Sequence, residues 1–305
     1  MKQRSPLVVG TRGSALALVQ TEEVLKELRA AHPDLEFQVV TINTSPDIRR
    51  EDPLSSFDRG MFVKELEYAL LDQKVDLVVH SLKDLPSETP PQFSIAAIGK
   101  RLDPRDVLVS RAGLPLARLP SGARIGTSSP RRECQVKALR RDVEVLPIRG
   151  NVDTRLRKVS EGQYDAAVLA AAGVARLGLL DQVTQYFSPQ EIIPPPGQGA
   201  LGMETRADDE WALWVVRVVN HEPTAVAVTA ERAFMARLGA GCRVPFAAYA
   251  EVTAEGLVLV GLISDTEGER RYSAEIQGDP AHAEELGLEL AERLLSAGAR
   301  DLVGT

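Results

Sequence analysis

Pro6-Leu7-Val8-Val9-Gly10-Thr11-Arg12-Gly13-Ser14 decides the fold. Its first four residues read as a buried strand and the Gly-Thr-Arg-Gly-Ser run as a loop. Leu16, Val19, Val24, Leu25 and Leu28 then give a helical stripe that ends before Pro33. Residues 36–42 predict a second strand, 61–71 a second helix, and 76–80 a third strand that runs into Ser81-Leu82-Lys83-Asp84. Alternation of this kind builds an α/β sheet whose ligands lie beyond the carboxyl ends of the strands.

The pattern restarts near residue 105. Strands are expected over 107–109, 124–126, 143–146 and 166–169, with helices from Arg131 and Val152. Gly126-Thr127-Ser128-Ser129 again joins strand to helix, so two lobes echo each other. Free N–H groups and the helix dipole at such a junction favour an anion, although Gly-Thr turns are also common where nothing binds. Residues 188–199 are rich in Pro and Gly and read as a crossing segment; a strand over 200–204 and a helix over 211–219 are expected to re-enter the first lobe. A helix from Pro223 to Leu238, a turn at Gly239-Ala240-Gly241-Cys242, alternating strands over 246–253, 256–264 and 270–277, and a helix from Ala281 predict a small α+β unit with a three-stranded antiparallel sheet. The expected domains are 1–99 with 200–217, then 105–193, then 222–305.

Composition narrows the function. The 305 residues are 44% hydrophobic and 26% charged, ordinary for a folded protein. Cys134 and Cys242 are the only cysteines, too few for a disulfide framework and suited to a reducing compartment, so a cytoplasmic location is expected with no membrane span. Net charge is −7, against a surface built to grip nucleic acid. Yet residues 124–158 hold ten Lys and Arg against four acids. Arg presents a planar fork that matches carboxylate or phosphate, so a bound polyanion is expected there.

Four histidines, His32, His80, His221 and His282, are scattered, and neither Cys has a partner at ligand spacing, so no metal site is expected. Asp84 stands at the end of a strand, where a lobe presents side chains to a cleft, or else it caps a helix. Cys242 has Arg243 beside it to favour thiolate, or else it is a small buried hydrophobe. Cys134 is assigned to that buried role. Arg149-Gly150-Asn151-Val152-Asp153-Thr154-Arg155-Leu156 reads as a solvated helix start with Asn151 as N-cap or, with Arg131, Arg132 and Arg176, as one arm of a cationic cleft for several carboxylates.

Further stretches carry a resemblance. Phe62-Val63-Lys64-Glu65-Leu66-Glu67, Val79-His80-Ser81-Leu82-Lys83-Asp84-Leu85-Pro86, Asp103-Pro104-Arg105-Asp106, Gly126-Thr127-Ser128-Ser129-Pro130-Arg131-Arg132, Gly197-Gln198-Gly199-Ala200-Leu201 and Gly241-Cys242-Arg243-Val244-Pro245 join the two Arg-containing stretches above in order along nearly the whole chain. In this the sequence resembles the hydroxymethylbilane synthases, also called porphobilinogen deaminases. The resemblance implies two periplasmic-binding-protein-like lobes and a third domain bearing the cofactor cysteine, in a monomer. It also implies a transferase that deaminates four porphobilinogen molecules and joins them head to tail into hydroxymethylbilane, releasing four ammonia, on a covalent dipyrromethane primer.

By the same resemblance Cys242 holds the dipyrromethane through a thioether, and Asp84 is the catalytic carboxylate, expected to be a buried anion kept ionised by positive neighbours. Arg12, Lys83, Arg131, Arg132, Arg149, Arg155 and Arg176 match positions that bind cofactor and substrate carboxylates, and Ser14, Ser81, Thr127 and Ser129 match their neutral companions. These arginines are expected to act on charged intermediates rather than on stability. Asp58-Arg59-Gly60 departs from the family's Gly-Lys-Gly run, Pro130 from a usual Leu, and Ala240 adds a methyl beside the cofactor loop. A non-catalytic two-lobed binder of a small dicarboxylate would also explain the paired lobes, but it leaves Cys242 unexplained. An RNA-binding protein would explain residues 124–158, but the interleaved aromatics of a single-strand platform are missing.

Overall fold

The structure, a computed structural model, describes residues 5–42, 63–239 and 244–303. Two compact units divide the chain: residues 1–101 with 200–225, and 102–199 with 226–305.

The first unit begins with β1 (Leu7–Arg12), α1 (Ala15–Ala31) and β2 (Phe37–Ile42), followed by α2 (Lys64–Leu71), β3 (Leu77–Ser81) and β4 (Phe93–Ile98). The chain returns after residue 199 as β10 (Leu201–Arg206) and α6 (Glu210–Val216). The sheet order is β2-β1-β3-β10-β4, with β1 parallel to β2 and β3, and β10 antiparallel to both neighbours. The expected re-entry is thus observed. Leu7, Val9, Leu77 and Val79 bury against Val24, Leu25 and Leu28 of α1, each fully buried Leu or Val contributing about 1.5–3 kcal/mol. Ser14 caps α1, its side chain accepting from Ala17 N.

One detail of the α1 stripe differs from expectation. Val19 is exposed, whereas Gln20 and Thr21 point inward, because both find polar partners: Ser81 for Gln20 and the Thr11 hydroxyl for Thr21. β4 has no counterpart among the expected elements. It follows two prolines and takes the sheet edge beside β10.

The second unit repeats the topology with β5 (Asp106–Ser110), β6 (Arg124–Gly126), α3 (Pro130–Leu139), β7 (Glu144–Leu146), α4 (Val152–Ser160), β8 (Ala166–Ala170), α5 (Ala171–Arg176) and β9 (Gln185–Tyr186). Its order is β7-β6-β8-β5-β9, three parallel strands and then β5 antiparallel to β8 and β9. The crossing strand is the last of the first lobe and the first of the second.

From residue 226 the same unit contains the small α+β region: the remainder of α7 (Glu222–Leu238), the antiparallel sheet of β11 (Phe246–Thr253), β12 (Gly256–Ser264) and β13 (Arg271–Gly278), and α8 (Ala283–Leu294). The three strands stand where the alternation put them. Phe234 of α7 and Leu290 of α8 are fully buried with Leu257 and Leu259. This region packs on the second lobe: Ile193 clusters with Ala247 and Leu262, and Glu231 accepts from Gly197 N and Ala250 N at 2.7 and 2.8 Å. Gly268, at φ +72°, presses on the Cys134 carbonyl, where an added Cβ would come within 2.2 Å. No helix among the described residues is long and apolar enough to cross a membrane.

Candidate active site

In the first unit the parallel pairing of β1 with β3 brings Arg12 and Ser14 to the same sheet edge as Ser81, Lys83 and Asp84. Gln20 ties the two ends together, its amide N lying 2.7 Å from Ser81 Oγ. The turn after β3 is one of 3-10 helix, Leu82–Asp84, with Leu82 N donating to Ala200 O. Leu82 and Leu85 take its inward positions, 2% and 3% exposed, which turns Lys83 and Asp84 outward. Asp84 is therefore exposed, not buried as expected, and it caps no helix. Its carboxylate stands at the carboxyl edge of the sheet, open to a ligand.

In the second unit α3 starts at the carboxyl end of β6. Ser129 is its N-cap, accepting from Arg132 N, and Pro130 occupies its first turn, where no N–H is needed. Thr127 is 2% exposed and its hydroxyl accepts from Ser129 N, so this candidate companion serves its own loop. Arg131 and Arg132 do not face open solvent either; each is 6% exposed, and both converge on the fully buried Asp106. Arg131 Nη2 donates to Asp106 Oδ2 at 2.7 Å, while Arg132 donates from Nε and Nη2 to Oδ1 at 2.9 and 2.7 Å. Further donors of the same guanidiniums reach Ile193 O and Val168 O, and Gln198 Nε2 adds a bond to Asp106 Oδ1. Burial alone would raise the Asp106 carboxyl, but the two guanidinium charges outweigh it and hold it down at about 2.

Arg149, Arg155 and Arg176 are half-buried at the same edge, following β7 and β8. Arg155 Nε donates to Gly150 O and Arg176 Nη2 to Gly199 O. Gly150 has φ +110° and an added Cβ would meet Thr154 at 2.5 Å, so only glycine makes this turn. Asn151 occupies the N-cap position of α4 but makes no side-chain capping bond.

The basic run itself is largely neutralised. Arg124 pairs with Asp165, Lys137 with Glu133 and Glu267, Arg140 with Asp142 and Arg157 with Glu161. Asp106, Glu161, Asp165 and Glu267 lie outside residues 124–158, which is why a window on that segment overstates its free charge. Cys134 is fully buried, its thiol bonded to Arg131 O and pushed up first by burial. Cys242 and the Asp58-Arg59-Gly60 variation lie outside the described residues. Sequence patterns alone assign no role to Asp106, Gln198 or Gln20; Asp106 and Gln198 sit inside quoted motifs, which is the available signal. Among the described residues no group of three His, Cys, Asp or Glu could hold a metal ion.

Residues 7–213 match the family model described as porphobilinogen deaminase, dipyromethane cofactor binding domain, and residues 225–296 match the porphobilinogen deaminase C-terminal domain. A porphobilinogen deaminase of Roseiflexus sp. (strain RS-1) is 49% identical over 304 residues, 99% of each chain. That of Roseiflexus castenholzii is 49% identical over 303 residues, 98% of this chain and 99% of the relative. That of Thermus thermophilus is 46% identical over 298 residues, 97% of this chain and 98% of the relative.

Proposed function

The chain belongs to the porphobilinogen deaminase family, and on that premise we propose how its residues divide the work. It is an enzyme of tetrapyrrole synthesis that acts on porphobilinogen with a dipyrromethane cofactor. The reaction joins four porphobilinogen molecules head to tail with loss of four ammonia, and Cys242 is the attachment point. When bound there, the dipyrromethane supplies the pyrrole carbon to which the first substrate is joined.

The donor set of the second unit fits such a group. Two buried guanidiniums share the single carboxylate of Asp106, so the place carries a net positive charge that further carboxylates would neutralise. Every pyrrole of the substrate carries an acetate and a propionate. Arg131, Arg132, Arg149, Arg155 and Arg176, with Ser129, hold cofactor and chain carboxylates; Thr127 supports Ser129. In the first unit Arg12 and Lys83 supply charge and Ser14 and Ser81 supply hydroxyls.

Asp84 does the chemistry. An ionised carboxylate accepts from the pyrrole N–H, offsets the positive charge that develops as ammonia leaves, and passes the proton released when the new C–C bond forms. Its exposure at the sheet edge, free of the internal ion pairing that occupies Asp106, is the observation that carries this assignment. We also propose three domains, 1–99 with 200–217, 105–193 and 222–305, a reading supported by one sheet within each, in a cytoplasmic monomer that binds no nucleic acid, in keeping with the net charge of −7.

Intact mass before and after addition of porphobilinogen tests the reading. The protein should carry a covalent dipyrromethane and gain further pyrrole units with substrate, and Cys242→Ser should carry none. An active enzyme with an unmodified Cys242 would refute the attachment.

A further inference from the structure

Three ionisable side chains that the chemistry above does not use meet on the inner face of β3. Alternation along this strand sends Leu77 and Val79 toward α1, and Val78 and His80 toward the face that α2 covers. On β10, paired antiparallel with it, Glu204 lies on that second face too. His80 is 6% exposed and Glu204 1%, and His80 Nε2 lies 2.9 Å from Glu204 Oε2. An ionised carboxylate only accepts, so Nε2 carries the hydrogen of this bond. Glu67 of α2 is the third member. Burial, then the charge of Glu204, raises its carboxyl above the ordinary range, while His80 and Lys64 oppose that rise.

A buried carboxylate and imidazole cost desolvation that apolar side chains would avoid. Their location supplies the reason for having them. His80 is immediately followed by the turn that presents Ser81, Lys83 and Asp84. That turn is held from α1 by Gln20 on Ser81 and from the β10 side by Leu82 N on Ala200 O. The bond from His80 to Glu204 fixes it from behind, one residue before it leaves the sheet.

We infer that His80, anchored by Glu204, is a positioning residue for Asp84. This rests on Asp84 being the catalytic carboxylate.

The test uses cofactor-loaded wild type, His80→Phe, Glu204→Gln and Asp84→Asn, with loading checked by intact mass, and follows kcat and KM for porphobilinogen. His80→Phe should lower kcat by about tenfold to a hundredfold, the effect of losing one hydrogen bond to a charged group, with KM moved less than about threefold. Glu204→Gln keeps an acceptor for the His80 hydrogen, so its kcat should fall less than that of His80→Phe. In 15N spectra the His80 imidazole, identified by its absence from His80→Phe, should carry its hydrogen on Nε2.

Wild-type kcat in His80→Phe, or a kcat in Glu204→Gln as low as that of His80→Phe, overturns the inference. If His80→Phe does not fold, Glu204→Leu, which leaves the His80 hydrogen without its acceptor, decides, and wild-type kcat there overturns the inference. Normal turnover by Asp84→Asn would instead remove the premise, a result that needs no change at His80 and is told apart by it.

Discussion

Arg132 gives both its Nε and its Nη2 hydrogens to the same oxygen of Asp106, at 2.9 and 2.7 Å, and so leaves the second carboxylate oxygen to Arg131. The two candidate ligand-binding arginines are thereby built into the core of their lobe. Removing one leaves a buried carboxylate with half its compensation. Arg132→Leu should cost about 3–5 kcal/mol of stability, against about 0.5 kcal/mol or less for the half-buried Arg149→Leu. Urea unfolding of the two variants measures the contrast, and equal losses would be inconsistent with this arrangement.

The same triad fixes a pH dependence. The Asp106 carboxyl falls from its ordinary 3.8 to about 2 in the folded chain. A carboxyl lowered by folding stabilises fully above its unfolded value, and that contribution is lost as pH falls toward the folded one. Stability should therefore decline between about pH 4 and about pH 2. Asp106→Asn should be less stable at neutral pH and lose less over that interval, which unfolding free energies at stepped pH would show.

Gln20 is the polar residue on the buried stripe of α1 that holds Ser81. Gln20→Ala should retain the cofactor by intact mass yet lower kcat by about tenfold, the size of one hydrogen bond that orients the turn. Unchanged turnover would mean that Ser81 and its turn hold their place without it.

Cys134 and Cys242 should separate cleanly. Cys134→Ala removes a fully buried thiol and should cost some stability while keeping the covalent adduct, whereas Cys242→Ser should fold and carry none. Peptide mapping of the two variants decides; an adduct on Cys134 would reverse the assignment.

Much of the architecture is legible in the sequence because strand alternation and strand-to-helix junctions are local. Residues 246–253 and 256–264 carry the pattern of β11 and β12, and Ser14 and Ser129 cap the helices they precede. What escapes depends on partners distant in sequence. Val19 fits the apolar stripe of α1, but Gln20 takes the inward place because Ser81, 61 residues away, accepts its hydrogen bond. Arg131 and Arg132 read as free cations because Asp106 enters from the opposite, antiparallel strand 25 and 26 residues earlier. Asp84 is expected to be buried, but the 3-10 turn gives its inward positions to Leu82 and Leu85. His80 belongs to a quoted motif, and only β10, 124 residues on, shows what it is bonded to.

Under the proposed division of work Asp84 separates binding from chemistry, and turnover of porphobilinogen by cofactor-loaded Asp84→Asn puts that assignment at risk in a single experiment. The substitution keeps the shape of an exposed side chain and removes its charge. The adduct should persist by intact mass and substrate should still bind, while turnover falls by roughly 10² to 10⁴, the span of a positioned proton-transfer group together with lost charge stabilisation. Near-normal turnover by a loaded Asp84→Asn enzyme would contradict it.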